Sequence, residues 1–373
     1  LMTFVVPMLS GDAVVSVATA STLAQLPGFG LGGHTLTVAD TPADLLAPGA
    51  GAGLALASSV GLDAAATVSA ATANALALLA GHIYLAFGGY SGDCGPYHGI
   101  VVGIELAHPH VSAAWATAAL KGGIWNPGGI VSDGKSLFVA TGNTEGATQW
   151  GGGEAVLRLS PGLRPLDYFV PDNWKKLDTD DLDLGGVNPT LIDMHDASVP
   201  KLLLALGKDG AAYLVNRRHL GGISKPLARH PVSPDPIRSS TAKYRVGRDM
   251  MVVVNAHGIG CTGDDGVVAL RVRGPNRPGP AIETAWCHRI DGRGAPVVTQ
   301  SGRGMQPVVW IFGAEGDERL RAFDGVTGAV LYVSDPTLAP VPHFSTPLIA
   351  EHRLYLPAKN TVLAFTLHAA PLP

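Results

Sequence analysis

A short apolar run, a turn rich in Gly and Asp, and a second apolar run recur along the chain. The clearest copies are "KSLFVATGNTEGATQWGGGEAVLRLSP", "KLLLALGKDGAAYLVNRR", "MMVVVNAHGIGCTGDDGVVALRVR" and "PVVWIFGAEGDERLRAFDGVTGAVLY". Two more are "GHIYLAFGGYSGDCGPYHGIVVGIEL" and "HRLYLPAKNTVLAFTLH", and a degenerate one opens the chain at "DAVVSVATASTLAQLPGFGLGGHTLTVAD". Runs such as "SLFVATG" and "EAVLRLS" have the length and the Val, Leu and Phe content of strands. The glycines between them allow the positive φ angles that tight turns need.

Each unit has a further strand upstream, after Gly or Pro, as in "NPGGIVS", "VNPTLID", "GAPVVTQ" and "HFSTPLIA". Some have another downstream, as in "GAVLYVS" and "AIETAWCHR". Four antiparallel strands repeated every ~45–70 residues describe the blade of a β-propeller. The expected fold is therefore all-β, a single propeller domain spanning 1–373 with residues 1–80 as its degenerate first blade region. Seven blades is the leading count, with six or eight open. No helix pattern is evident between the strands, which disfavours a βαβ fold. Strands from the two termini are expected to close the ring and cover an edge.

Composition adds limits. Apolar residues make up 46% and charged residues 15%, so the chain can bury a core and is unlike a disordered one. With 48 glycines and 28 prolines, turns and short elements are favoured over long helices. The net charge is −4 and no Lys/Arg run occurs, which argues against nucleic acid. The Ala-rich stretch at 64–81 is too weakly apolar for a membrane span. The opening "LMTFVVPMLSGD" lacks a basic n-region, as expected of a chain whose leader has been removed or of a fragment. Cys94, Cys261 and Cys287 form no CxxC pair; Cys261 with Cys287 is the pairing expected if a disulfide forms, against buried thiols.

"DERLRAFDGVTGAVLY" resembles the repeat of pyrroloquinoline-quinone-type (PQQ-like) propellers. "GDCGPYHGIVVGIEL", "GGIWNPGGIVSDGKSLFVATGN", "LDYFVPDNWKKLDTDDLDLGG" and "LLALGKDGAAYLVNRRHLGG" resemble, in that order, a bacterial PQQ-like subgroup described only by its repeat. The resemblance covers roughly residues 80 to 370 and implies a periplasmic or extracellular location. Relatives with described roles include propeller lipoproteins that scaffold outer-membrane assembly and, more distantly, quinoprotein dehydrogenases.

A quinone enzyme of that kind uses a stacking Trp, adjacent cysteines and a Ca²⁺ held by hard oxygen ligands. Here no two cysteines are adjacent, and Trp125, Trp150, Trp174 and Trp286 suit packing equally well. PQQ with Ca²⁺ is thus the weaker expectation, and no cofactor the stronger. "LDTDDLDLGG" supplies Asp178, Asp180, Asp181 and Asp183 but fails the EF-hand pattern, because Asp183 stands where that loop needs Gly. These aspartates are expected to cap turns or face solvent. His108 and His110 read as a polar loop, and no metal site is assigned.

In a propeller, the turn between the second and third strands of each blade shares a face with the segment leading into the next blade. Loops on that face escape core packing and usually carry function. Candidates there are Tyr90, Asp93, Tyr97, His98, Trp125 and Asn126, then Asn143, Lys208 and Asp209. His257, Asp264, Asp265, Glu315 and Asp317 follow, with Arg293 and His343 on the lead-in segments. Singly, each suits a turn as well as a contact. Together they suit a protein, carbohydrate or small-molecule ligand. The leading expectation is a monomeric, non-catalytic binding or scaffolding module. The alternatives are a quinone-dependent oxidoreductase, or a hydrolase or lyase using His98 or His257 as general base.

Overall fold

The computed structural model describes residues 13–25, 31, 36–40, 59–62, 66–69, 77–88, 96–125, 127–194, 199–261, 266–273, 281–300, 306–336, 340–351, 353–359 and 361–366. From residue 77 onward the strands form six successive antiparallel blades, at the lower end of the expected range. Blade 1 comprises Ala77–Leu79, His82–Phe87, Ile100–Glu105 and His110–Ala116. Blade 2 runs through Val131–Ser132, Leu137–Ala140, Val156–Leu159 and Pro165–Pro171. Blade 3 has Thr190–Asp193, Lys201–Leu206, Ala211–Asn216 and Ala228–Pro231, while Gly222–Ser224 reaches back to pair in parallel with blade 2.

Blade 4 comprises Ala242–Val246, Asp249–Val254, Val267–Arg273 and Ala281–His288. Blade 5 has Val297–Thr299, Val308–Phe312, Leu320–Asp324 and Val330–Val333. Blade 6 has three described strands, Leu348–Ala350, Arg353–Ala358 and Thr361–Thr366. The first strand of a blade is innermost: those of blades 1 and 2, 4 and 5, and 5 and 6 touch. No described helix is long and apolar enough to cross a membrane.

Burial explains why the middle strands read as continuous apolar runs. "KLLLAL" and "AAYLVN" of blade 3 are buried at nearly every position, because each sheet is covered on both faces by its neighbours. The blades are also joined by polar contacts between hairpins. In "DGVTG" the Asp324 carboxylate accepts hydrogen bonds from Val326 N (2.7 Å) and Thr327 N (2.9 Å). That turn leaves Gly325 O free to accept from Tyr244 Oη (2.5 Å) and Trp286 Nε1 (3.0 Å), both in blade 4. Gly328 lies at φ +76°, and a Cβ there would come within 2.9 Å of the Trp286 ring. The Thr-Gly turn of the repeat is thus a socket for the neighbouring blade's tryptophan.

The opening region departs from the repeat. Strands Ala13–Val15, Leu36–Asp40 and Ser59–Leu62 pair in parallel, and only the last pair, with Ala66–Ser69, is antiparallel. A helix, Val17–Ala24, connects the first two, as a parallel pair requires a crossover. Ser16 caps it, its Oγ accepting from Thr19 N at 3.2 Å. This is the strand–helix–strand pattern that reading the chain as uniform repeats misses.

Candidate functional site

The loop face divides into two regions of different chemistry. Across blades 1 to 3, the carboxylates of Glu154, Asp178 and Asp183 are buried, and they accept hydrogen bonds from neighbouring loops. The segment leading into blade 3 begins with a helix, Trp174–Thr179, which carries Asp178 inward to 2% exposure. One Asp178 oxygen accepts from the Thr144 backbone and hydroxyl; the other accepts from Gly146 N (2.5 Å) and Ala147 N (3.1 Å). A single carboxylate thereby satisfies the donors of the blade 2 loop. Asp183 accepts from Asn143 N at 2.7 Å and pairs with Lys208 Nζ at 2.6 Å. Exposed Asp181 accepts from the same Lys208 at 2.7 Å and from Asn143 Nδ2 at 3.1 Å. Lys208 also lies over the Trp125 ring, 5.4 Å from its centroid.

Burial dominates Asp183 and raises its carboxyl above the usual range, despite Lys208. For Lys208, burial would lower the ammonium, but its hydrogen bonds to Asp181 and Asp183 outweigh that and raise it. Glu154, fully buried at φ +49°, lies next to this pair. Its Oε2 accepts from Leu184 N at 2.7 Å, while Oε1 has no hydrogen-bond partner among the described residues. Burial, reinforced by Asp183, pushes this carboxyl well above its ordinary value.

Other candidates in this region are likewise engaged. His98 Nδ1 lies 2.8 Å from Thr117 O, and Lys121 is positioned over the Tyr97 ring. Asp209 caps its own hairpin at Ala211 N (3.1 Å) and binds Tyr213 Oη and Arg229. Asp317, in blade 5, is similarly absorbed by Arg321 and by Arg319 N. Tyr90, Asp93, Cys94, Asn126, Asp264 and Asp265 lie outside the described residues.

Across blades 4 to 6 the same face is open. A groove of about 390 Å³ is lined by His257, Arg289, Ile290, Asp291, Gly292, Arg293 and Glu315. Three of the sequence-predicted residues, His257, Arg293 and Glu315, meet here, and His343 joins them through Glu315 at 2.7 Å. His257 Nδ1 in turn lies 2.6 Å from Asp235 Oδ2, both side chains more than half exposed. The His343 hydrogen bond holds the Glu315 carboxyl below its usual range.

The groove floor is fixed by backbone contacts. Arg293 N donates to Ala314 O (2.8 Å), Asp317 N to Asp291 O (3.2 Å), and Asn255 Nδ2 to Gly292 O (3.1 Å). Gly292, at φ +128°, presses so closely on Gly313 that a Cβ would lie 2.3 Å from its carbonyl carbon. A disulfide between Cys261 and Cys287 ties the His257 loop to the outer strand of blade 4. Sequence reading missed Asp235, Arg289 and Asp291. "RIDGR" directly after a strand was the available signal for the last two, while Asp235 lies 22 residues from its histidine, with no local motif to link them.

At the axis the lead-in segments of blades 2, 4 and 6 converge. Thr346 Oγ1 donates to Pro127 O (3.4 Å) and lies 3.3 Å from Ser240 Oγ. Phe344 meets the edge of Trp125, centroids 6.2 Å apart. A quinone lying flat at the centre requires that mouth to be open, so these residues do not fit one. Cys261 and Cys287 are bonded across separate elements rather than forming an adjacent pair. Among the described residues no three His, Cys, Asp or Glu side chains are placed to hold a metal.

Comparison with known proteins gives similarities of shape. The chain is similar to BamB from Moraxella catarrhalis at 13% identity and TM-score 0.47, covering 79% of this chain and 70% of that one. It is similar to the quinohemoprotein alcohol dehydrogenase from Comamonas testosteroni at 15% identity and TM-score 0.49, covering 75% of this chain and 55% of that one. The chain therefore spans little more than half of that dehydrogenase. A third similarity is to the β-propeller domain of Cps50 (Swd1) from Myceliophteria thermophila, at 10% identity, TM-score 0.45, and 77% and 80% coverage. No family profile matches the chain, and no curated protein matches it either. The propeller assignment rests on the sheet order and the touching inner strands.

Proposed function

We propose that this protein is a binding module that engages a partner protein through the loop face of blades 4 to 6. The observation that carries this reading is the contrast at the axis: the funnel mouth is crossed by Thr346, Pro127 and Ser240, while the adjacent groove is open. A ligand site beside the axis, built on loops held by rigid blades, is suited to contacting another surface. The Cys261–Cys287 disulfide supports an oxidising compartment, hence the periplasm or the cell exterior.

Photo-crosslinking tests the reading. A photoreactive residue in place of exposed Ile259, on the His257 loop, is expected to give a discrete protein adduct in the intact host, and one at 135, on the opposite hairpin side, is not. Absence of an adduct at 259 overturns the proposal. So does a rise in melting temperature with dye reduction on adding pyrroloquinoline quinone and Ca²⁺, since a native-state ligand must stabilise. The His257–Asp235 contact supports a second reading, acid–base catalysis in the groove, because a carboxylate can orient an imidazole for proton transfer. That reading requires His257→Ala to abolish a measured turnover while leaving adduct formation intact.

A further inference from the structure

Most basic side chains near the loop face are already neutralised. Lys208 is held by Asp181 and Asp183, Arg229 by Asp209, and Arg321 by Asp317. Lys121 pairs with Glu145 at 3.0 Å. Arg289 and Arg293 differ: both are exposed, both line the groove, and neither guanidinium makes a hydrogen bond or ion pair with a described residue. Arg293 is near enough to Glu315 to help depress its carboxyl without bonding to it. The two arginines sit four residues apart on a segment pinned at Asp291, Gly292 and Arg293. Their backbone positions are thus set before any ligand arrives, which lowers the ordering cost of binding.

The remaining lining narrows the ligand. A guanidinium matches a planar oxyanion and donates to it in a fork. Asp291 and Glu315 share the groove, and their negative charge disfavours a dianion such as phosphate more than a single carboxylate. None of the lining residues is Trp, Tyr or Phe, so the groove has no broad stacking platform of the kind that sugar rings use. Ile290 and the backbone at Gly292 supply a short neutral wall. The volume, about 390 Å³, accommodates a few residues of extended chain.

We propose that this groove recognises an acidic peptide segment of the partner, with Arg289 and Arg293 receiving the carboxylate of an Asp or Glu side chain. The inference rests on the binding-module reading and specifies the chemistry of its ligand. His257 and His343 are occupied by Asp235 and Glu315, so recognition falls to the two arginines.

Fluorescence anisotropy on the full chain provides the test. The probe is a labelled Gly-Glu-Gly-Asp-Gly-Glu-Gly peptide, with the Gln/Asn version, inorganic phosphate and an oligogalacturonide as competing arms. Binding of the acidic peptide is expected to weaken at least tenfold in the Arg289→Gln/Arg293→Gln double variant and to fall with added salt. Lys225→Gln, far from the groove, is expected to change nothing. Equal binding of the Gln/Asn peptide overturns the proposal, as does indifference to the double variant. Tighter competition by phosphate or oligogalacturonide overturns it in favour of that ligand. A crosslink at 259 without acidic-peptide binding refutes this inference alone, whereas absence of that crosslink refutes the module itself.

Discussion

The loop faces of blades 1–3 and blades 4–6 occupy the same topological position and spend their charges differently. In the first, Asp178, Asp183 and Lys208 are nearly sealed from water and bind loops to one another. In the second, carboxylate–histidine pairs stand in solvent, and the guanidiniums of Arg289 and Arg293 bond to no described residue. The difference follows from the lead-in segments. The one before blade 3 is long enough to form a helix whose aspartate fills the neighbouring loop. The one before blade 5 is the short "RIDGRGAP", which lies flat on Gly313 and leaves a groove. Repetition of a blade therefore fixes scaffold geometry while the connecting segment decides whether a loop becomes structure or surface.

The largest test is to break the sealed side. Lys208→Ala leaves Asp183, 3% exposed, without its counter-ion, and is expected to cost about 3–5 kcal/mol in urea unfolding. A loss below about 1 kcal/mol would make the two faces energetically alike. On the open side, replacing Cys261 and Cys287 together by Ser releases a loop closed over a 26-residue separation. The expected loss is about 3 kcal/mol, with weakened ligand binding at 293 if the loop frames the groove.

Glu154 sharpens the comparison through pH. Its native carboxyl holds a proton more tightly than an unfolded Glu does, so stability falls as pH rises from the ordinary Glu value through the raised one. Glu154→Gln keeps an oxygen for Leu184 N and is expected to flatten that pH dependence, changing stability by about 1 kcal/mol or less. A thermal melt series from pH 4 upward, with an unchanged slope in the variant, would contradict this. The smallest effect belongs to Arg289→Gln and Arg293→Gln, whose melting free energies are expected to move by no more than about 0.5 kcal/mol. A larger loss would identify the arginines as part of the frame.

Much of the scaffold was legible in the sequence. "KLLLALG" and "AAYLVN" announced paired strands by composition, and "FDGVTG" announced a turn whose Gly and Asp have the roles expected of them. The aspartates of "LDTDDLDLGG" suit turn caps or solvent-facing positions by sequence; Asp178 binds the backbone of the blade 2 loop, Asp181 is exposed, and Asp183 is buried against Lys208. The opening region was not legible, because Ala- and Thr-rich segments such as "VATASTLA" give little contrast between helix and strand. Within the site, Lys208 and Arg293 look alike as charges in turns; only the fold reveals that one is paired with two carboxylates while the other forms no ion pair with a described residue. Glu154 was hidden in a glycine run, and its significance lies in burial, which has no local signature.

The meeting of Thr346, Pro127 and Ser240 has a consequence for how anything could be held. With lead-in segments of alternate blades touching at the axis, a chain cannot be threaded through the disc. A bound polypeptide must lie across the face, which needs no free end and no prior cleavage. An internal loop of an already folded protein could therefore dock and leave intact.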